Sequence, residues 1–371
     1  VARTLTLREL NRATLDRQLL SRRHDVSAVE AIGRIAGLQA QEPWPPYLSL
    51  WARLSEFDRD ELTRALEERT VVRSSLLRGT QHMVTAEDYL VWRPLVQPVF
   101  DRVWRGGFRR MMDGVEPTEI TEAARALLAE RPMTRPELRR ALVQRWPDVD
   151  PAALTATVQL TLPLVHPPPN GTWGSSGATP FALAESWLGR VPAEASVAEL
   201  ITRYLAAFGP ASTKDIQAWC GLTRLREVVE RLDLVTYRDE DGRVLYDLPD
   251  AELPEDTALP VRFLPSFDNV LLAHDDRRRM MADHIRKRVI IGGGVESTVL
   301  VDGTVAAMWL LSTQDGRAVL TIEPLVNVDQ DALTEEALRL LDFCAPEHEH
   351  DVRFVHSGQM PAMKPLRPDI G

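Results

Sequence analysis

Pro132-Met133-Thr134-Arg135-Pro136-Glu137-Leu138 and Pro210-Ala211-Ser212-Thr213-Lys214-Asp215-Ile216 are two copies of one pattern. In each, a hydroxyl side chain follows the proline by two residues, and a carboxylate follows the hydroxyl by three. That spacing is a helix start: Thr134 and Ser212 are the expected N-caps, and Glu137 and Asp215 reach back to the cap. Each copy comes after one predicted helix and is followed by a second. In the first copy Asp150-Pro151 supplies a cap and a proline at the first helical position. In the second, Gly221 ends one helix and Thr223 is expected to start the next.

Both copies then run into a predicted hairpin. The first has Leu164-Val165-His166, a turn at Pro167-Pro168-Pro169-Asn170-Gly171, and Thr172-Trp173-Gly174. The second has Leu234-Val235-Thr236-Tyr237, a turn at Asp239-Glu240-Asp241-Gly242, and Val244-Leu245-Tyr246-Asp247-Leu248. Asn-Gly and Asp-Gly between apolar runs are strong hairpin signals. Three helices followed by a two-stranded wing make a winged helix. Two in tandem point to nucleic acid, although such modules also serve as protein contacts, and fold alone does not decide between the two.

The rest of the chain fits around these copies. Residues 1–115 read as a mostly helical N-terminal module with strand-like Val71–Leu77 and Gln81–Val84 around a turn at Gly79. Residues 116–190 and 191–255 hold the two copies. Residues 256–371 turn β-rich, with Val261–Pro265, Val289–Ile291, Val299–Val301, Val305–Trp309 and Ala318–Ile322 as strands. The expected class is therefore α+β: tandem winged-helix modules with a small, curved, barrel-like C-terminal sheet.

Composition narrows the function. At 371 residues, 44% hydrophobic and 26% charged, the chain is long enough for several domains with real cores. No apolar run reaches the length of a membrane span. The start, Val1-Ala2-Arg3-Thr4, leads into a polar helix and carries no secretory pattern. Two cysteines, Cys220 and Cys344, exclude a disulfide scaffold and fit a reducing cytoplasm. A net charge of −10 excludes wrapping DNA by bulk charge, so a nucleic-acid surface has to be a local basic patch.

Leu38-Gln39-Ala40-Gln41-Glu42-Pro43-Trp44 carries the chemistry. Ser27 and Glu30 start a helix whose apolar stripe is Val29, Ile32 and Ala36, and Pro43 excludes Glu42 from it, which predicts an end near Gln39. Residues two apart share a face of an extended chain, so Gln39 and Gln41 point together. Two amides aimed at one spot can hold a water or a sugar oxygen. Glutamine has no useful pKa, so the pair suits chemistry that needs little general-base strength. The same residues would also serve as a polar helix terminus satisfying backbone groups.

Other residues carry paired readings. Arg78 is a candidate phosphate contact or a surface ion pair, and His82 a cleft residue or a structural histidine. Arg277, Arg278, Arg279, Lys287 and Arg288, with His284 and Arg286, form the densest basic cluster: a DNA-backbone patch or a solvated helix face. Gly292-Gly293-Gly294 lacks a following Gly-Lys-Ser/Thr and reads as a hairpin tip. Cys344, His348, His350 and His356 match no zinc spacing. No metal or cofactor is expected.

Leu38–Pro43, Arg78-Gly79-Thr80-Gln81-His82 and Phe263-Leu264-Pro265-Ser266-Phe267-Asp268-Asn269, with the proline-rich turn and Val301-Asp302-Gly303, resemble the AlkZ and YcaQ family of winged-helix DNA glycosylases. The resemblance runs over nearly the whole chain. It implies tandem winged helices in a C shape with a β-rich C-terminal part. It also implies cleavage of the N-glycosidic bond of bulky N7-alkylated purines, in some members with unhooking of interstrand crosslinks. Gln39-Ala40-Gln41 matches the Gln-x-Gln motif of the AlkZ-like branch, which makes Gln39 and Gln41 the implied catalytic residues, with alanine where the middle residue is usually aliphatic. The expected partner is duplex DNA bearing an alkylated purine or a crosslink, handled by a cytoplasmic monomer with no membrane attachment. The rival is a non-enzymatic winged-helix transcriptional regulator, which would bind DNA sequence-specifically and would not depend on either glutamine.

Overall fold

A computed structural model describes residues 3–112, 114–191 and 196–360. Its strands fall into units with a shared order of elements. Strand β1 (Thr4–Leu5) precedes the long helix Leu7–Arg17. The first unit then runs helix Ala28–Arg34, β2 (Leu38–Gln39), helices Pro45–Arg53 and Arg59–Glu67, β3 (Val71–Ser75) and β4 (Gln81–Thr85). The second runs helix Pro117–Glu130, β5 (Met133–Thr134), helices Arg135–Arg145 and Pro151–Thr161, β6 (Leu164–Val165) and β7 (Pro180–Leu183). The third runs helix Val197–Phe208, a bridge at Ala211, helices Thr213–Cys220 and Arg226–Val229, β8 (Val235–Asp239) and β9 (Val244–Asp247).

In each unit the first short stretch pairs with the last strand, giving β2-β4-β3, β5-β7-β6, and Ala211 beside β9 beside β8. The caps are where the sequence places them. Thr134 with Glu137 and Ser212 with Asp215 form complete capping boxes, and Asp150 caps Ala152 and Ala153. Each cap is worth about 1 kcal/mol, enough to fix where a helix starts.

Three expectations are corrected. The second strand of the first copy is Pro180–Leu183, not Thr172–Gly174; the loop between them packs against the first unit, and Gly171 lies so close to Arg73 that a Cβ there would meet Arg73 Cδ at 2.8 Å. The helix after Gly221 starts at Arg226, because Arg224 takes a left-handed φ of 61° that a helix cannot contain. The C-terminal sheet is open, β10 (Arg262–Leu264), β13 (Thr298–Val301), β14 (Thr304–Gln314), β15 (Arg317–Pro324), β16 (Glu349–Phe354), with a small β11–β12 hairpin (Ile290–Ile291, Gly294–Val295) beside it. Among the described residues no pairing joins β10 to β16, so the sheet does not close into a barrel. Helix Gln330–Cys344 is the crossover that brings β16 in parallel to β15, and it covers a sheet face that closure would have buried.

The helix Leu7–Arg17 ties distant parts together. Arg17 makes a bidentate pair with buried Asp247 of β9, and Asn11 Nδ2 donates to the carbonyls of Arg279 and Gly303. Gly303 is obligatory there: an added Cβ would meet Asn11, Arg12 and Leu15 within 2.7 Å. No helix among the described residues is long and apolar enough to cross a membrane.

Candidate active site

The Gln-x-Gln stretch begins as a strand, Leu38–Gln39, and Gln41 lies in the bend that follows it. Its preceding helix ends at Arg34, earlier than the sequence predicts, because Ala36 and Gly37 both take left-handed φ values, 59° and 87°. Gly37 can do so because it has no side chain; a Cβ would meet Val84 Cγ1 at 2.6 Å. The chain reverses there and enters β2 against β4, with Gln39 opposite His82 and His82 opposite Ser74 of β3. Cross-strand partners share a face, so Gln39, His82 and Ser74 form one polar row.

Gln39 is 6% exposed, and its Oε1 accepts a 2.7 Å hydrogen bond from Arg78 Nη2. The other terminal nitrogen of Arg78 donates to the Trp219 carbonyl at 2.7 Å, so the guanidinium is held from two sides. Arg78 itself stands in a left-handed turn at φ 55°, which aims it inward. It is therefore engaged with a glutamine and a carbonyl rather than standing as a surface phosphate contact. Burial pushes its pKa down to about 10, aided by nearby Arg277, which leaves it charged at neutral pH. One consequence is chemical. With Oε1 taken by Arg78, the Gln39 amide has one orientation, and its NH2 makes no hydrogen bond to the described protein.

Gln41 is exposed in a bend two residues past the end of β2, and its backbone is fixed although its side chain is not buried. Arg73 Nε donates to the Ala40 carbonyl at 3.0 Å, its Nη2 to the Gln41 carbonyl at 3.2 Å, and its Nη1 to Asn170 Oδ1 at 2.6 Å. Arg73 is buried, forms no ion pair among the described residues, and burial pushes its pKa down to about 10. A charged residue inside Val71-Val72-Arg73-Ser74, an otherwise apolar strand start, was the sequence signal for it. Replacing Arg73 by alanine frees both carbonyls and unseats Gln41. The expected result is a ~100-fold lower single-turnover rate with DNA affinity changed little, since an ångström of misplacement suffices for such a loss. Arg73→Lys, which keeps the charge but only one nitrogen, should fall between.

His82 lies beside Gln39 but is no proton carrier. It is 2% exposed, its Nδ1 donates to the Thr80 carbonyl at 3.0 Å, and burial together with Arg78 pushes its pKa down to about 3. It stays neutral at physiological pH. Glu42 is half-buried and accepts from Trp44 Nε1 at 2.7 Å; burial raises its pKa. Trp44 and Tyr47 are core residues.

The basic cluster divides. Arg279 is buried and donates to Thr14 and the Pro210 carbonyl, so it is a structural cation and not part of a surface patch. Arg288 pairs with buried Glu323, and Arg278 is held by its near neighbour Asp276 and by Asp241; in both cases an acidic side chain distant in sequence, Glu323 or Asp241, folds back onto the arginine. Arg277 and Lys287 form no ion pair among the described residues. Arg277 is half-buried near Arg78 and Arg286, and its Nε has no partner among the described residues. Of the cluster, Arg277 is thus the residue that the structure brings near Arg78.

A second motif supports the site from behind. Asn269 Nδ2 donates to the Gly37 carbonyl at the chain reversal, and Asp268 makes a bidentate ion pair with Arg53 in the adjoining helix, both oxygens at 2.8 Å, with Ser49 Oγ also donating. Both partners are fully buried.

Residues 32–343 match the family model described as DNA glycosylase AlkZ-like. The chain belongs to the AlkZ-like DNA glycosylase family. Its enzyme class, DNA glycosylase, follows from that membership. A relative from Streptomyces sahachiroi, named interstrand DNA cross-link repair glycosylase, is 26% identical over 339 residues, covering 85% of this chain and 90% of the relative. The solved structure of Streptomyces sahachiroi DNA glycosylase AlkZ superposes with a TM-score of 0.76 at 22% identity, covering 95% of this chain and all of that one, and so shares the fold. The site described above falls within the segment that matches the family.

Proposed function

We propose that this AlkZ-like protein hydrolyses the N-glycosidic bond of bulky N7-alkylated purines in duplex DNA and unhooks interstrand crosslinks built on them, with Gln39 and Gln41 placing the attacking water. The observation that carries the reading is the fixed Gln39 amide: its oxygen is held by Arg78, and its NH2 has no protein partner among the described residues. The chemistry asks for little more. An N7-alkylated purine already bears a positive charge and leaves without protonation, through an oxocarbenium-like transition state. Gln39 N–H groups would hold the water oxygen, and the Gln41 side-chain oxygen would accept a water hydrogen and orient the lone pair to C1′. A neutral His82 fits a site that needs no general acid. Among the described residues no lysine is placed beside Gln39 or Arg78, which fits a reaction that stops at the abasic product. We read the three units, each a helix, short strand, two helices and two strands, as winged helices that cradle the duplex, with Arg277 and Lys287 on the backbone. The relative's name favours crosslinks as the lesion class.

The test is base release from duplexes carrying either N7-methylguanine or an N7–N7 guanine crosslink. Free base and an abasic strand from both are expected. Release from the monoadduct alone would remove crosslinks from the reading. Sequence-specific binding with no release from either would replace the enzyme by a regulator.

A further inference from the structure

Beside the glutamine strand lies a cavity of about 360 Å³, between the β3–β4 sheet of the first unit and the second unit. Gln81 forms part of its wall and stands across the ladder from Ala40, whose N–H donates to the Gln81 carbonyl at 2.7 Å. Two acceptors in this wall are buried without a partner among the described residues: Gln81 Oε1 and His166 Nε2. His166 is 5% exposed, and its Nδ1 lies 3.3 Å from the Pro180 carbonyl. Nδ1 must therefore carry the hydrogen, which leaves a lone pair on Nε2. Burial, with Arg73 nearby, pushes the His166 pKa down to about 4, so the ring is neutral. The same cavity has donors in Arg93 and Arg135, an apolar floor at Phe181 and Leu164, and no carboxylate in its lining. Arg135 is exposed and forms no ion pair among the described residues.

A ligand that satisfies these groups needs N–H donors for Gln81 and His166, an acceptor for an arginine, and a flat apolar body. Guanine has this set: N1–H and the 2-amino group donate, and O6 accepts from arginine. Adenine lacks the N1–H and presents an amino group where guanine has O6. Charge sets the timing. An N7-alkylguanine in DNA is a cation, which two arginines and no acid disfavour. When the glycosidic bond breaks, its electron pair stays on N9 and the base becomes neutral, while water delivers hydroxide to C1′ and a proton to solvent. We propose that this cavity is a guanine-base site that takes the free, neutral N7-alkylguanine after cleavage. The assignment rests on the glycosylase reading for its role in the reaction, and on the unpartnered acceptors for its ligand.

The test is binding of free 7-methylguanine and of adenine to the full chain by calorimetry, with wild type, His166→Phe and Arg135→Ala. The second variant alters an exposed side chain and leaves the fold intact. 7-Methylguanine should bind at least 10-fold more tightly than adenine; His166→Phe should weaken it by ~10-fold, the loss expected for one buried hydrogen-bond partner, and Arg135→Ala by ~10-fold, the loss expected for one charge-assisted hydrogen bond. No binding at millimolar base, equal binding of adenine, or indifference to both variants overturns the site and leaves ordered water as its occupant. Base release from N7-methylguanine DNA is followed in parallel. Release without guanine binding overturns the base site alone; guanine binding without release overturns the glycosylase reading and leaves the site.

Discussion

Gln39→Ala should lower the single-turnover rate of base release by 10²–10³-fold, the range seen when one preorganised donor is removed from a polar site, with DNA affinity nearly unchanged. Arg78→Leu should cost much of the same loss although Arg78 sits behind the amide rather than in front of it. Without its donor the Gln39 amide is free to flip, and half of its orientations put an oxygen where an N–H is needed. The two changes act through one hydrogen bond, so the double variant should be little worse than Gln39→Ala. Strict additivity would mean that Arg78 acts elsewhere, for instance on DNA. Gln41→Ala should be equally damaging, and the double glutamine variant should approach the uncatalysed rate. The rate should not vary between pH 6 and 8. His82, the histidine in the row, already lies far below that range, and Arg78 and Arg73 lie above it. A step in rate near pH 6.5 would show a histidine taking part and would require a different base.

How much of this was legible in the sequence depends on whether the cause was local. Thr134 with Glu137, Ser212 with Asp215 and Asp150 with Pro151 are contacts within three residues, and their spacing alone places the helix starts. The extended chain at Gln39 is likewise a local effect of Pro43, but the strand ends at Gln39 with Gln41 in a bend, and the helix before it stops sooner than the apolar stripe predicts, since Gly37 reverses the chain against Val84. What could not be read were partners set by long-range packing. Arg279 and Arg288 belong to a basic run in the sequence, yet Thr14 accepts from a buried Arg279 and Glu323 pairs with Arg288, both from elsewhere in the chain. Arg78 reads as a surface cation until Trp219, 141 residues away, turns up as its acceptor. The second strand of the first copy falls at Pro180–Leu183 for the same reason: Asn170-Gly171 is a sound turn signal, but its loop is held by Arg73 of another unit.

Disrupting the Arg53–Asp268 pair should be the most damaging single change to the fold. The pair has no solvent exposure, and Arg53 also donates to the Gln18 and Ser49 carbonyls, so its removal strands a charge and breaks the packing of helix Pro45–Arg53 on β10. Removing one partner of such a pair costs about 3–5 kcal/mol. Burial pushes the Asp268 carboxyl up, but Arg53, Ser49 and the Val270 N–H outweigh it and hold it below its usual range. The depressed pKa gives stability that is present above the unfolded carboxyl value near 4 and lost as pH falls through the lower folded value. In Arg53→Ala the sign reverses. With its counter-ion gone, burial alone acts and raises the folded pKa above the unfolded one, so the variant regains stability by binding a proton as pH falls. Its urea midpoint should therefore lie far below wild type at pH 7.5 and recover part of the gap at pH 5, whereas Asp268→Asn, which leaves Arg53 charged, should show no such recovery. Because Asn269 holds the Gly37 carbonyl from the same loop, both variants should also lose base-release rate at urea concentrations well below those that unfold them. Equal midpoints at the two pH values for Arg53→Ala would mean that water reaches Asp268 and that the pair is not the buried clamp behind the glutamine strand.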